Sequence, residues 1–267
     1  MASIDPRDNL FTRPGPIPLL SSITEVKNKE DGSIDPKTFT IVDTSVPTGQ
    51  TALLLGSSYS GKTTLLVHGL NNIIKEKSYD AIIIFTESPN AKPLEGLNPS
   101  NRITLSQGFY PNIVRLLVRI NRASDNRFRF FTVLDDITDM KNNSTYKKMV
   151  LTMRNSNIST AVLVQDPTLC PPSHRGSFHN IYFLGAGSNI QRKDYIVKHW
   201  LNGHIRHRLG VPGGSTKRGL MSLLNEWFDE NTKRGNKEGD DASDRGKFLW
   251  FQTITDELSV QNRPPPI

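Results

Sequence analysis

Residues 56–63 carry the most specific chemical pattern of the chain, Gly-Ser-Ser-Tyr-Ser-Gly-Lys-Thr. It matches G-x-x-x-x-G-K-[ST], in which glycines permit a tight turn and main-chain N–H groups converge on one anion. In this pattern Lys62 reaches the β- and γ-phosphates of a nucleotide, and the Thr63 hydroxyl ligates Mg²⁺. We expect nucleotide to be bound by Gly56, Ser57, Ser58, Tyr59, Ser60, Gly61, Lys62, Thr63 and Thr64.

Two adjacent carboxylates, Asp135 and Asp136, end an apolar run that follows the loop by about eighty residues. A carboxylate at a strand tip beside such a loop can hold Mg²⁺ opposite Thr63, and a second one can polarise an attacking water. We assign Asp135 to the metal and Asp136 to the water, although the two roles could be shared or reversed. The structural alternative is a pair that only caps the next segment.

Gln165 ends the next apolar run, where it could sense the γ-phosphate or orient the water; the alternative is a loop residue without a role. Hydrolysis also needs positive charge on the transition state, which an arginine of a neighbouring subunit often supplies. Arg154, just before the Gln165 run, is our candidate, although composition alone favours a solvated surface position for any individual arginine. The other arginines considered are Arg175, Arg115, Arg119 and Arg122.

Apolar runs alternate with helix-compatible stretches, which predicts an α/β fold with a mostly parallel sheet covered by helices on both faces. The predicted strands are 51–55, 81–86, 130–136, 160–165 and 181–184. Thr86, at the tip of the second, is a weaker candidate for the site. A last apolar run, 248–254, is expected to be a strand at one edge of the sheet.

The chain divides into three parts by composition. Residues 1–37 contain five prolines and predict an irregular N-terminal arm. Residues 38–188 contain the phosphate loop and the predicted strands of the core. Residues 189–267 are expected to complete the same domain with C-terminal helices, a basic loop and the edge strand.

Composition limits the setting in which the chain works. One cysteine, Cys170, excludes an internal disulfide and fits a reducing compartment. No stretch approaches the roughly 18 apolar residues of a membrane span, and no secretory signal is visible. The 267 residues carry a formal net charge of +7, which favours a polyanionic partner such as nucleic acid.

Four segments together resemble a known family of ATPases. They are Leu-Leu-Leu-Gly-Ser-Ser-Tyr-Ser-Gly-Lys-Thr-Thr, Ile-Ile-Ile-Phe-Thr-Glu, Thr-Val-Leu-Asp-Asp-Ile-Thr-Asp and Arg-Asn-Ser-Asn-Ile-Ser-Thr-Ala-Val-Leu-Val-Gln-Asp, within residues 51–166. The chain is similar to the additional-strand P-loop ATPases and, within them, to the FtsK–HerA superfamily. The resemblance is to the poxvirus-type branch, the DNA-packaging ATPases of large double-stranded DNA viruses.

This resemblance implies a RecA-like sheet with strand order 5-1-4-3-2 and a homo-oligomeric ring that uses ATP and Mg²⁺ to pump double-stranded DNA into a capsid or procapsid vertex. It implies action in the virion or at the viral assembly site of the host cell, cytoplasmic or nuclear. It also implies function for Lys62, Thr63, Asp135, Asp136 and Gln165, and the ring geometry implies an arginine acting across a subunit interface, for which we favour Arg154. Many relatives in the wider superfamily carry Glu where this chain has Asp136, whose side chain is one methylene shorter.

Three other functions stay open at this point. A P-loop nucleotide or small-molecule kinase would need an arginine-rich lid and an acceptor pocket; the sequence shows no compact lid, but the arginines near 115–129 keep this function open. A non-hydrolysing, nucleotide-dependent DNA-binding switch would bind nucleotide tightly with negligible turnover. A related translocase would share the motor chemistry without packaging.

Overall fold

The computed structural model describes residues 38–39, 46–47, 49–76, 78–88, 92–124, 126–137, 144–170, 172–211, 219–233, 235 and 246–264, without the side chains of 38, 39, 46, 47, 154, 172 and 173. The predicted arm, 1–37, therefore lies outside the described residues. The strands are β1 Thr38–Phe39, β2 Val46–Pro47, β3 Thr51–Leu55, β4 Ala81–Thr86, β5 Ile103–Gln107, β6 Phe130–Asp135, β7 Ile158–Val164, β8 Asn180–Phe183, β9 Lys247–Gln252 and β10 Glu257–Asn262.

Helices connect most of these strands. The α-helices are α1 Lys62–Glu76, α2 Lys92–Glu95, α3 Pro111–Ala123, α4 Ser144–Thr152, α5 Pro172–Arg175, α6 Ile190–Ile196, α7 Asn202–Arg208 and α8 Leu220–Thr232. A π-helix, Val197–Leu201, joins α6 to α7, and short 3-10 helices lie at Met153–Ser156 and Pro167–Leu169. None of the helices in the described part of the chain is both long and apolar enough to span a bilayer.

Eight strands form one sheet in the order β10-β9-β8-β3-β7-β6-β4-β5, and β1 pairs with β2 separately. The strands from β8 to β5 are parallel, whereas β9 and β10 are antiparallel to their neighbours. The predicted order 5-1-4-3-2 corresponds to β8-β3-β7-β6-β4 and is confirmed for those five strands, but the observed sheet is larger. The mostly parallel α/β fold is confirmed with it.

The prediction of an edge strand at 248–254 is wrong in its position. This strand, β9, pairs with β8 on one side and with β10 on the other, so β10 forms the edge. The Glu257–Asn262 segment is polar except for the alternating residues Leu258 and Val260, of which only Leu258 is buried. That weak pattern does not stand out among the polar residues of the C-terminal segment.

The two faces of the sheet are covered separately, because alternate strand residues point to opposite faces. Leu54 packs under α1 with that helix's apolar side, Leu65, Leu66, Leu70 and Ile73. Leu53 and Leu55 face the other way, into a cluster completed by α3, α4, α6, α7 and α8 and the π-helix. A sheet with both faces covered explains why the central strands are continuous apolar runs.

Strand register brings the predicted site residues to one edge of the sheet. Thr86 at the end of β4 is paired with Asp135 at the end of β6, and Asp135 in turn with Leu163 of β7. Leu55, the last residue of β3, is paired with Val164 of β7. The residues that follow these strand ends therefore lie at the carboxyl edge, where open α/β sheets bind their ligands.

Candidate nucleotide site

The phosphate loop, residues 56–63, leaves the end of β3 and leads into the first turn of α1. Its first residues are held by main-chain hydrogen bonds to the neighbouring strands: the N–H of Gly56 donates to Val164 O over 3.2 Å, and that of Ser57 to Gly185 O over 2.9 Å. The loop is thus fixed to the ends of β7 and β8 before it turns. Thr63 and Thr64 lie half-buried in the first turn of α1.

The two glycines of the loop are required for different reasons. A Cβ atom on Gly56 would lie 2.3 Å from the Ser60 Oγ, 3.1 Å from the Ser60 Cβ and 3.2 Å from the Leu184 Cβ, so any larger residue would force its neighbours to shift. Gly61 has φ +88°, a left-handed conformation that side chains disfavour. Tyr59, at the tip of the loop, is 89% exposed and has φ 59°.

Lys62 is folded back into the loop. Its Nζ donates to Gly56 O and Ser57 O, both over 3.0 Å, and the side chain is only 5% exposed. Burial lowers the pKa of this ammonium, the carboxylates of Asp136 and Asp135 oppose that effect, and Arg192 adds to it. Lys62 and both carboxylates are therefore close enough for their charges to interact.

Asp135 is 2% exposed at the end of β6. The main chain N–H of Ser88 donates to Thr86 Oγ1 over 3.0 Å, which leaves the hydroxyl proton of Thr86 to be donated to Asp135 Oδ2 over 3.4 Å. The other carboxylate oxygen, Oδ1, is buried and has no hydrogen-bond partner among the described residues. Burial and the adjacent charge of Asp136 raise the pKa of Asp135 to about 6, although Lys62 and Thr86 act in the opposite direction.

A chain of hydrogen bonds joins Asp136 to the phosphate loop through Gln165. The Gln165 Nε2 donates to Asp136 Oδ1 over 3.0 Å, and the Ser58 Oγ donates to Gln165 Oε1 over 2.7 Å. The bond to Asp136 fixes this orientation of the amide, because the reverse would face a carbonyl oxygen against a carboxylate. Asp136 itself has φ 52°, so the backbone turns sharply at the tip of β6.

The arginines considered from the sequence lie in different environments. The backbone of Arg154 belongs to the 3-10 helix Met153–Ser156, and nothing is described of its side chain. Arg175 interacts within its own subunit: its guanidinium lies 4.5 Å from the Trp200 ring centre and donates to His199 O over 3.2 Å. Three further arginines line a cavity of about 450 Å³ between α3 and α4, beside the 3-10 helix: Arg115, Arg119 and Arg122.

Three further residues contribute to the site, and the sequence indicates only one of them, Thr86. Thr86 orients Asp135, as its position at a strand tip could indicate. Arg192 lies in the first turn of α6, next to the loop whose Gly185 holds Ser57. Arg263, just beyond β10, donates to the main chain of the phosphate loop at Ser60. Only the three-dimensional fold brings Arg192 and Arg263 to the phosphate loop.

Comparison with known proteins places these features in a family. The family model described as "Poxvirus A32 protein" matches residues 49–198, which contain the phosphate loop, the acidic pair and Gln165. The chain belongs to the poxvirus A32 protein family. No curated protein matches it.

Solved structures share the fold of this A32 family member. One is the B204 DNA-packaging ATPase of Sulfolobus Turreted Icosahedral Virus, at 10% identity and TM-score 0.53, covering 81% of this chain and 98% of that one. Another is the genome-packaging NTPase B204 of Sulfolobus turreted icosahedral virus 2 with ATP-gammaS, at 12% identity and TM-score 0.51, covering 82% and 98%. The same B204 protein with AMPPCP matches at 11% identity and TM-score 0.51, covering 86% and 100%.

Proposed function

We propose that this chain is an ATP-hydrolysing motor that translocates viral double-stranded DNA into a capsid. The observation that carries the proposal is the meeting of the phosphate loop, the Asp135–Asp136 pair and Gln165 at one sheet edge in a member of the poxvirus A32 family. The B204 packaging NTPases, with which the chain shares its fold, have been solved with ATP-gammaS and AMPPCP, which supports ATP as the nucleotide.

ATP would be bound by the main-chain N–H groups of residues 56–64, at the N-terminus of α1. Lys62 would leave Gly56 O and Ser57 O and place its ammonium on the β- and γ-phosphates. The lysine thus exchanges two carbonyl partners for phosphate oxygens. The nearby cation of Arg192 adds to the positive potential at the site.

Mg²⁺ fits the residues that are present. Asp135 offers a buried oxygen, Oδ1, that lacks a partner among the described residues, and Thr63 offers a hydroxyl in the first turn of α1. These hard oxygen donors are the ligands that Mg²⁺ prefers. When bound, the ion would neutralise charge on the phosphates.

Asp136 and Gln165 would position the attacking water. Asp136 accepts from Gln165, whose other amide atom accepts from Ser58 of the phosphate loop. The polar chain joins the tips of β6 and β7 to the loop, so a change in the loop on ATP binding would reach the Asp136 carboxylate. Asp136 is one methylene shorter than the Glu that many relatives carry at this position. The hydrogen bond from Gln165 compensates in part, because it fixes the orientation of the Asp136 carboxylate.

Arg154 would act on the ATP of a neighbouring subunit in a homo-oligomeric ring. Its segment, Met153–Ser156, forms part of the wall of the cavity between α3 and α4, and none of the described residues lining that cavity is acidic. This cationic face is complementary to a neighbour that carries bound triphosphate. The arginine would supply the positive charge that phosphoryl transfer requires.

The remaining assignments follow from the motor role. The motor would translocate double-stranded DNA, consistent with the net charge of +7. It would be bound to a capsid or procapsid vertex. The place of action would be the virion or the assembly site in the cytoplasm or nucleus of the host cell. We also propose that 38–188 form the ATPase core and 1–37 an arm, and that 189–267 complete the domain, which the pairing of β9 with β8 supports.

Phosphate release from Mg-ATP, measured with and without double-stranded DNA, tests the function. We expect DNA to stimulate turnover of the wild-type chain and Lys62→Ala to abolish it. Lys75→Ala, at the exposed end of the same helix, is the matched control and should behave as wild type. Phosphate transfer to a small acceptor would instead indicate a kinase, and tight binding without turnover would indicate a switch; unchanged turnover in Lys62→Ala would refute the site.

Mixing two inactive variants tests the role of Arg154. Lys62→Ala retains Arg154, and Arg154→Ala retains the phosphate loop. If the arginine acts across an interface, mixed rings contain some complete sites and regain part of the activity. An equimolar mixture that stays inactive, although both variants assemble, contradicts action in trans.

A further inference from the structure

We infer that Arg263 is a positioning residue that holds the phosphate loop in its nucleotide-binding conformation. The inference rests on the proposed ATP site and adds to it a residue from the far end of the chain. Arg263 lies directly after β10, and its guanidinium reaches the loop through the carbonyl of Ser60. The site would therefore depend on the C-terminal strand as well as on the P-loop core.

The guanidinium of Arg263 donates to main-chain carbonyls of four separate segments. One Nη donates to Ser60 O in the phosphate loop. The other donates to Leu184 O, just after β8, over 2.8 Å and to Thr232 O, at the end of α8, over 3.0 Å. The Nε donates to Lys247 O, at the start of β9, over 3.1 Å. The phosphate loop is thereby tied to the three elements that flank it.

The geometry of one peptide unit gives this contact its consequence. The peptide between Ser60 and Gly61 is planar and trans, so its C=O and N–H point in opposite directions. Because Arg263 holds the carbonyl of Ser60, the N–H of Gly61 must point away from Arg263. In a phosphate-binding loop this N–H is one of the donors that converge on the anion.

Without Arg263 this peptide could rotate. Gly61 already has φ +88° and, lacking a side chain, meets little steric resistance to another conformation. The guanidinium also packs tightly against this residue, since a Cβ on Gly61 would lie 3.1 Å from the Arg263 Nη1. A rotated peptide would present a carbonyl oxygen to the phosphates in place of a donor, which repels ATP.

Arginine is the side chain that this position needs. The planar guanidinium offers several donors in a fixed fork, which matches carbonyls arriving from different directions. A lysine ammonium at the end of a flexible chain could reach one or two of the four carbonyls at most. The conservative change to lysine should therefore retain charge and lose part of the positioning.

The test is the affinity for Mg-ATP of the full chain, measured by titration without DNA. We expect Arg263→Ala to raise the dissociation constant at least about tenfold, the effect of losing one well-placed hydrogen bond from a charged donor. Arg263→Lys should lie between this variant and wild type. At saturating ATP, kcat should stay within about twofold, because a positioning role appears in KM when the catalytic residues are unchanged.

Arg208→Ala is the matched control. Its guanidinium donates to Leu258 O of the same strand, β10, so it removes a similar anchor of the hairpin without touching the phosphate loop. This variant should bind ATP as wild type does, whatever it loses in thermal stability. Equal affinity losses in Arg208→Ala and Arg263→Ala would overturn the inference, because the effect would then come from loosening of the hairpin.

The outcomes separate this inference from the function on which it rests. If the wild-type chain does not bind ATP, or Lys62→Ala binds it equally well, the proposed ATP site is wrong. If wild type binds ATP in a Lys62-dependent way and Arg263→Ala binds it equally well, only the role of Arg263 is wrong. Should Arg263→Ala fail to fold, Arg263→Lys decides, and wild-type affinity in that folded variant overturns the positioning role.

Discussion

Replacing Asp135 by asparagine should stabilise the nucleotide-free, magnesium-free protein at neutral and alkaline pH. The carboxylate is 2% exposed, and only one of its oxygens has a partner among the described residues, the Thr86 hydroxyl at 3.4 Å. Burial therefore penalises the ionised form and raises its pKa from 3.8 to about 6. The Mg²⁺ that we propose for this site would offset this cost, because a cation stabilises the ionised carboxylate.

The pKa shift sets both the sign and the size of the effect. Because the folded state binds the Asp135 proton more tightly than the unfolded state, this group's contribution to stability is complete below the unfolded pKa and is lost as pH rises through about 6. A rise of about two units corresponds to about 3 kcal/mol above that pH. The new amide of asparagine needs a partner in a site built for an anion, which offsets about 1 kcal/mol or more. We expect a net gain of about 1–2 kcal/mol at pH 8.

Urea unfolding of wild type and Asp135→Asn at pH 8 and pH 5, in a chelator and without nucleotide, measures this gain. The advantage of the variant should shrink by roughly 1 kcal/mol between pH 8 and pH 5, as Asp135 becomes protonated in the folded wild type. Glu230→Gln, an exposed carboxylate on α8, is the control and should stay within about 0.5 kcal/mol of wild type at both pH values. An Asp135→Asn protein that is less stable than wild type at pH 8 would refute the reasoning.

Two further substitutions test other parts of the site. Gln165→Leu should lower kcat about 100-fold with a small effect on ATP affinity, because it breaks the link between Asp136 and the phosphate loop. Steady-state ATPase kinetics measure this effect, and an unchanged kcat would contradict the prediction. Gly56→Ala should destabilise the protein by about 1–3 kcal/mol, because the new Cβ meets Ser60. Thermal unfolding measures this loss of stability, with Gly203→Ala in α7 as the control. A Cβ on Gly203 meets nothing within 4 Å, so this substitution should be neutral or slightly stabilising. Similar losses of stability in both variants would argue against the clash.

The central part of the site could be predicted because its signals are local. The phosphate loop is contiguous, and Asp135 and Gln165 are polar residues at the ends of apolar strands, so a parallel sheet places them at the same edge. The observed order places β7 between β3 and β6, which lets Gln165 bridge the two halves of the site.

The peripheral part could not be predicted, because it depends on contacts between distant segments. Arg263 meets Ser60 across 203 positions of sequence, and the prolines that follow it resemble a tail. Its placement requires β10, whose polar, weakly alternating sequence gives little sign of a strand. Arg192 lies close enough to lower the pKa of Lys62, and the loop before its helix is held against Ser57 through Gly185. Such residues carry no motif, since their function comes from position.

The most direct test of the motor is movement along DNA. A duplex carrying a short third strand would be incubated with the protein, Mg²⁺ and ATP, and release of the third strand would be measured. The account predicts release that requires ATP hydrolysis and disappears in Lys62→Ala. Wild-type protein that binds the duplex and hydrolyses ATP, yet leaves the third strand in place on DNA of every length, would contradict it.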